Sequence, residues 1–176
     1  GGALITNDKE IFHKTYQLHD HGRDIDGEIK SWGRNSRLDN IQAAILSYNL
    51  KNYQNVIDKR RNIAETYNEG LKEIEQLKLP APPSNSGFHF DIFQNYEFEA
   101  ENRDALKKYL SEQGISTLIQ WSGKAVHQWE ALGFEIVLPK VEEFFKNCLM
   151  IPIGPYLTEK EVQYIIDAIK NFYRRA

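Results

Sequence analysis

Gly33-Arg34-Asn35-Ser36-Arg37-Leu38-Asp39-Asn40-Ile41-Gln42-Ala43-Ala44-Ile45-Leu46 joins a polar, cation-bearing turn directly to the start of a helix. Gly33 admits an unusual backbone angle, and Asn35 tolerates one better than most residues. Ser36 or Asp39 is a candidate N-cap, because a short oxygen-bearing side chain can accept from the free amides of the first turn. Apolar or small residues follow at Ile41, Ala44, Ile45 and Tyr48, at helical spacing. Such a turn offers backbone amides and the guanidinium groups of Arg34 and Arg37 to whatever faces it. Helix N-termini and arginine forks both favour phosphate and carboxylate, so the chemistry suits an anion. The plain alternative is a capped surface loop with solvated arginines.

Working outward, Gly1 to Thr6 reads as a short strand, and Asn7-Asp8 starts a helix that continues to about His19. A strand at the start of a chain needs a sheet to join, so the chain is read as part of a larger protein. His21 to Trp32 is a polar loop. Helix resumes near Ser36 or Asp39 and is expected to run to about Ile74, with a kink or break between Asn49 and Asn55, where the apolar spacing drifts. Pro80 to Gly87 is a linker or loop. The aromatic-rich segment from Phe88 to Phe98 reads as a strand, or a strand with a bulge. Glu101 to Gln113 reads as a helix stopped by Gly114, followed by a strand over Ile115 to Ile119. A short helix from Val141 to Asn147 precedes a strand from Cys148 to Ile151. Thr158 and Glu161 form a capping box for the last helix, whose buried side carries Ile165, Ile166, Ala168, Ile169 and Phe172. This alternation of strand and helix predicts an α/β sandwich with helices on one face of a small sheet.

Composition narrows the function classes. Apolar content of 41% and charged content of 27% are those of a globular protein. A net charge of -3, with Lys and Arg spread along the chain, argues against a nucleic-acid partner. Cys148 is the single cysteine, so no intramolecular disulfide can form; this fits a reducing compartment and a cytoplasmic protein. No apolar run reaches the length that spans a bilayer. His19, Asp20 and His21, with Asp24 and Asp26 nearby, carry donor types that suit a divalent ion, but their loose spacing favours a polar loop and no metal is expected. Lys124 lies in a loop beside Trp121 and His127, yet nothing local marks it as desolvated, and Ser122-Gly123-Lys124-Ala125 lacks the leading glycine and final Ser/Thr of a P-loop.

The ordered set of motifs resembles the DegT/DnrJ/EryC1/StrS family of sugar-nucleotide aminotransferases. The opening stretch resembles that family's G-x-N-x-R-L-x-x-I-Q-A-A-I-L block. Gly1 to Asp8 resembles its G-G-A-x-x-T-N-D segment, His21-Gly22-Arg23-Asp24 its H-G-R-D turn, and Lys59 to Tyr67 its K-R-x-x-I-A-x-x-Y helix. Gly114-Ile115, Trp121 through His127, Leu149 to Pro152 and Leu157 to Val162 follow in the family's order. The resemblance implies an α/β fold: the C-terminal small domain of a fold-type I aminotransferase, with the tail of the large domain and a long connecting helix. Residues 1–50 would be the tail of the large domain and the start of that helix, and 51–176 the small domain.

It also implies a cofactor, pyridoxal 5′-phosphate, in the complete enzyme, and a reaction moving an amino group from an amino-acid donor, glutamate expected, to a nucleotide-linked keto-deoxysugar. Pathways making cell-surface polysaccharide or antibiotic sugars use such products. The family's Schiff-base lysine lies a few residues before the first glycines seen here, so no catalytic residue is assigned and this chain alone is expected to be inactive. The residue matching Asn35 reaches across a dimer interface to the cofactor phosphate of the other subunit, so Asn35 is assigned to the cofactor and a homodimer with shared sites is expected. Arg37 either helps organise that anion site or pairs with Asp39 or an acid of the neighbouring helix. Trp121 and His127 occupy the family's substrate-facing aromatic-plus-histidine loop, in a variant spacing resembling enzymes that act on dTDP-linked sugars, and His21 lies on the wall of the cofactor cleft. The competing class is a non-catalytic binding or assembly module lacking the lysine.

Overall fold

A computed structural model of the chain describes residues 2–85 and 89–175. They form two compact units divided between Tyr53 and Gln54.

The first unit is built on helices and turns. Helix α1, Lys9–His19, starts where Asp8 accepts from the amides of Glu10 and Ile11 at 2.8 and 3.2 Å. Helix α2 spans Asn40–Leu50, and a two-residue turn at Lys51 and Asn52 separates it from α3, Tyr53–Leu71. The break falls inside the interval where the apolar spacing drifts, and α3 stops three residues before Ile74. No side chain of α1 or α2 is buried. The expected strand at the start of the chain does not form: residues 2–6 pair with no strand, and Gly1 lies outside the described residues.

The second unit holds the core. Strand β1, Leu77–Lys78, pairs antiparallel with β2, Tyr96–Ala100, which pairs antiparallel with β3, Cys148–Ile151. Tyr96, Phe98 and Ala100 alternate inward from β2, as the period of a strand requires, and meet Leu149 and Ile151 of β3. Over this face pack Ala64, Tyr67 and Leu71 of α3, Leu106 and Leu110 of helix α4 (Arg103–Glu112), and Val162, Ile165, Ile166 and Ile169 of helix α6 (Glu159–Arg175). Helix α5, Pro139–Asn147, contributes nothing to that cluster. Two tyrosine hydroxyls of the core are matched: that of Tyr67 donates to Pro152 O at 2.7 Å, and that of Tyr96 donates to Asn68. The predicted capping box is present, with Glu161 accepting from the Thr158 amide at 2.8 Å and hydroxyl at 2.7 Å.

Two strands fall short of expectation. Over 115–119 only Leu118 bridges, to Met150, because the Ile115 amide is spent on Leu110 O at 2.8 Å to close α4 around Gly114. The strand expected over 88–98 is confined to Tyr96 onward; Ser86, Gly87 and Phe88 lie outside the described residues. The intervening segment is held by α3 instead. Arg61, buried, donates to Asp91 O, Ser84 O and Asn85 Oδ1 at 2.6, 2.9 and 2.7 Å and lies 4.2 Å from the centroid of the Phe90 ring. Arg60 donates to Phe93 O and Gln94 O at 3.1 and 2.7 Å. Carbonyls used this way cannot join a ladder.

Candidate functional site

The glycines of the first unit set its geometry. Gly22, at φ +80°, and Gly33 lie back to back: a Cβ on Gly33 would sit 2.2 Å from Gly22 N and 2.7 Å from Gln17 O. Gly33 is therefore required for close approach rather than for a left-handed backbone, which it does not adopt; neither does Asn35. The contact clamps the end of α1 to the segment before α2. Arg34 N donates to Leu18 O at 2.8 Å, His21 N to Arg34 O at 3.0 Å and Ser36 N to His19 O at 2.9 Å. Asn35, bridged to Asp20, is thus fixed by backbone on both sides.

Asp39, not Ser36, occupies the N-cap of α2, but its carboxylate makes no capping bond. Around this open end lies a cavity of about 720 Å³, lined by Asn35, Arg37 and the first turn of α2 through Gln42. Arg37 Nε donates to Asn35 Oδ1 at 3.3 Å, and its guanidinium lies 3.4 Å from Asp20 Oδ1. Arg37 thus contacts both Asn35 and an acid, Asp20, at the end of α1. Its bond to Oδ1 also leaves the Asn35 amide nitrogen as a donor with no hydrogen bond among the described residues. An exposed amide donor beside uncapped helix amides can receive an anion without placing a full charge against it. His21 is exposed, at φ 57°, and lines neither this cavity nor the one around Trp121.

Trp121 and His127 come together in the second unit, on an apolar cavity of about 920 Å³ also lined by Trp129, Phe134, Leu138 and Phe145. Three consecutive residues, Trp121, Ser122 and Gly123, take left-handed angles of φ 49°, 57° and 74°. For tryptophan and serine such angles store strain, the kind that collects at binding sites. Trp121, on this turn, is 69% exposed while lining the cavity. His127 is held more tightly: its Nε2 lies 3.0 Å from Glu142 Oε1, and its side chain is 6% exposed. The same Glu142 oxygen accepts from Leu138 N at 3.0 Å at the start of α5. These two contacts, the histidine first, hold the Glu142 carboxyl below the usual glutamate range. Glu142 escaped the sequence reading because it reaches back four residues to the N-cap rather than the three of a capping box. Among the described residues, no group of three or more His, Cys, Asp or Glu side chains is placed to hold a metal ion, and the acidic loop around Asp24 instead binds its own amides at Asp26 and Glu28.

Residues 1–170 match the DegT/DnrJ/EryC1/StrS aminotransferase family. The chain belongs to that family. Curated relatives include a pleiotropic regulatory protein of Geobacillus stearothermophilus, 35% identical over 99% of this chain and 47% of its own length. Another is a dTDP-3-amino-3,4,6-trideoxy-alpha-D-glucose transaminase of Streptomyces venezuelae, 31% identical over 99% of this chain and 46% of its own. Among solved structures, a DegT DnrJ EryC1 StrS aminotransferase from Brucella abortus is 33% identical and superposes with a TM-score of 0.84 over 96% of this chain and 45% of that one. The chain thus spans about half the length of the curated relatives it matches. Its fold is that of the C-terminal α/β portion of a fold-type I aminotransferase, as the motif order implied.

Proposed function

We propose that this chain is the C-terminal part of a pyridoxal-phosphate-dependent enzyme that moves an amino group from an amino-acid donor, glutamate, to a nucleotide-linked keto-deoxysugar. Family membership over residues 1–170 carries this reading. Relatives named as transaminases of dTDP- and UDP-linked sugars support the substrate class and the place in antibiotic or polysaccharide sugar synthesis over a non-catalytic module. Residues 1–50 serve as the tail of the large cofactor-binding domain and the start of the connecting helix, and 51–176 as the small domain. The enzyme works in the cytoplasm; no helix among the described residues is long and apolar enough to cross a membrane.

The open N-terminus of α2 fits the phosphate of the cofactor. Asn35 donates its free amide to that phosphate, and Arg37 holds Asn35 in the orientation that makes the donation possible. The cofactor supplies the chemistry that stabilises the carbanion and carries the amine; these residues supply its phosphate anchor. Asn35 acts on the cofactor of the other subunit of a homodimer, so each site is complete only in the pair. Trp121 offers an aromatic face to the sugar nucleotide, His127 a ring nitrogen, and His21 part of the cleft wall. The test uses the full-length enzyme. Asn35→Ala is expected to weaken cofactor binding about tenfold, the worth of one hydrogen bond to a charged group. Unchanged cofactor affinity removes Asn35 from the site.

A further inference from the structure

We infer that Glu142 is a positioning residue for nucleotide-sugar recognition: it fixes the His127 ring by its Nε2 edge, so that Nδ1 is the nitrogen offered to the substrate. The inference rests on the substrate role proposed for His127 and adds to it a second residue and a named atom. Glu142 does not itself line the cavity. It touches two residues that do, accepting from Leu138 N and contacting His127 Nε2 through one oxygen, each at 3.0 Å.

The ends of one segment are thereby stapled together. Between His127 and Leu138 the chain carries Trp129, Leu132, Phe134, Ile136 and Val137, all exposed and unsupported by the main core. Only short 3₁₀ turns, at Val126–Gln128 and Glu130–Leu132, order its first half. A segment so poor in regular structure keeps its course only if its ends are held. Helix α5 supplies the rigid part, and Glu142 projects from it to both ends.

A histidine with one nitrogen committed to a carboxylate has its tautomer and ring plane set by that bond. With Nε2–H directed at Glu142, neutral His127 presents Nδ1 as an acceptor. An acceptor reads a hydroxyl group, which can donate, and discriminates against a phosphate oxygen, which cannot. The geometry therefore assigns His127 to a hydroxyl of the sugar or of the ribosyl part of the carrier.

A double-mutant cycle in the full-length holoenzyme tests this, with a dTDP-linked keto-sugar and glutamate as substrates. If Glu142 acts through His127, Glu142→Ala raises the KM for the keto-sugar about tenfold, leaves the glutamate half-reaction unchanged, and adds nothing in a His127→Ala background. Glu142→Gln, which keeps an acceptor oxygen, recovers most of the loss and serves where the alanine variant folds poorly. Additive effects of the two alanine substitutions, or equal damage to both half-reactions, overturn the inference. So does an unchanged keto-sugar KM in both Glu142 variants while His127→Ala raises it. If His127→Ala itself leaves the keto-sugar KM unchanged, the substrate role of His127 fails and the inference falls with it; the aminotransferase assignment does not.

Discussion

Replacing Gly33 by alanine tests whether close approach, rather than backbone angle, is what the turn before α2 demands. The new Cβ would lie 2.2 Å from Gly22 N, 2.7 Å from Gln17 O and 2.9 Å from Gly22 Cα. All three are backbone atoms, so no side chain can swing aside. Gly22 N and Gln17 O are also donor and acceptor of one hydrogen bond, at 2.8 Å, and the methyl group would wedge into it. To reach ordinary contact the two segments must part by about 1 Å. Overpacking of this kind costs about 1–3 kcal/mol and loss of the hydrogen bond about 1 kcal/mol more, for a local penalty of roughly 2–4 kcal/mol. Asn35 lies two residues on, so separation of the segments displaces its amide and weakens cofactor binding in the full-length enzyme at least tenfold. Gly27→Ala is the control. Gly27 has φ +88° and open space around its Cβ position, so that substitution costs only the left-handed backbone, about 1–2 kcal/mol, at a residue that makes none of the Asn35 bonds. Cofactor titration followed by absorbance gives both affinities. If Gly27→Ala weakens binding as much as Gly33→Ala does, the close-approach argument is wrong.

Two further outcomes follow from the second unit. Burial, assisted by the nearby Glu97 carboxylate, pushes the Cys148 thiol up to about 11, and its side chain is inaccessible; native protein at pH 8 should therefore react with a thiol reagent only as fast as it unfolds, and rapid labelling would contradict the burial. The Glu161 carboxyl is held below the usual glutamate range by the amide and then the hydroxyl of Thr158. A lowered carboxylate pKa stabilises the fold fully above the unfolded value and loses that contribution as pH falls through the folded one, so the gap in melting temperature between wild type and Glu161→Gln should be constant above about pH 5 and close on acidification. Glu97, raised by burial, works in the opposite sense, which is why the comparison is made between variants rather than from the wild-type curve alone.

Sequence reading succeeded where a local rule acts alone. The Thr158–Glu161 box, the stop at Gly114 and the apolar stripe of α6 each depend on neighbours within a turn or two, and each is present. It failed where distant groups competed for the same backbone. The aromatic segment before Tyr96 has the composition of a strand, but Arg60 and Arg61 occupy its carbonyls, and Phe93 is turned to φ 51°. Leu77 and Lys78 are too few to show any period. Asn35 was singled out through its motif, but the reason for Gly33 was not legible: its partner, Gly22, lies eleven residues away, and the fold brings the two backbones together. Glu142 was invisible for the same reason, since nothing in its own helix marks it as the partner of His127.

The arginine clamp on the loop after β1 has a consequence for how that loop can be regulated. Among the described residues Arg61 neutralises no carboxylate; its acceptors there are carbonyl and amide oxygens, backed by an aromatic face. These acceptors do not titrate, so acidification does not remove them. The Arg61 contacts therefore differ from an ordinary surface ion pair in having no acid partner to protonate. A change at position 61 removes three of the bonds that hold the loop, and lysine, with a single charged point in place of a fork, would not serve as a substitute.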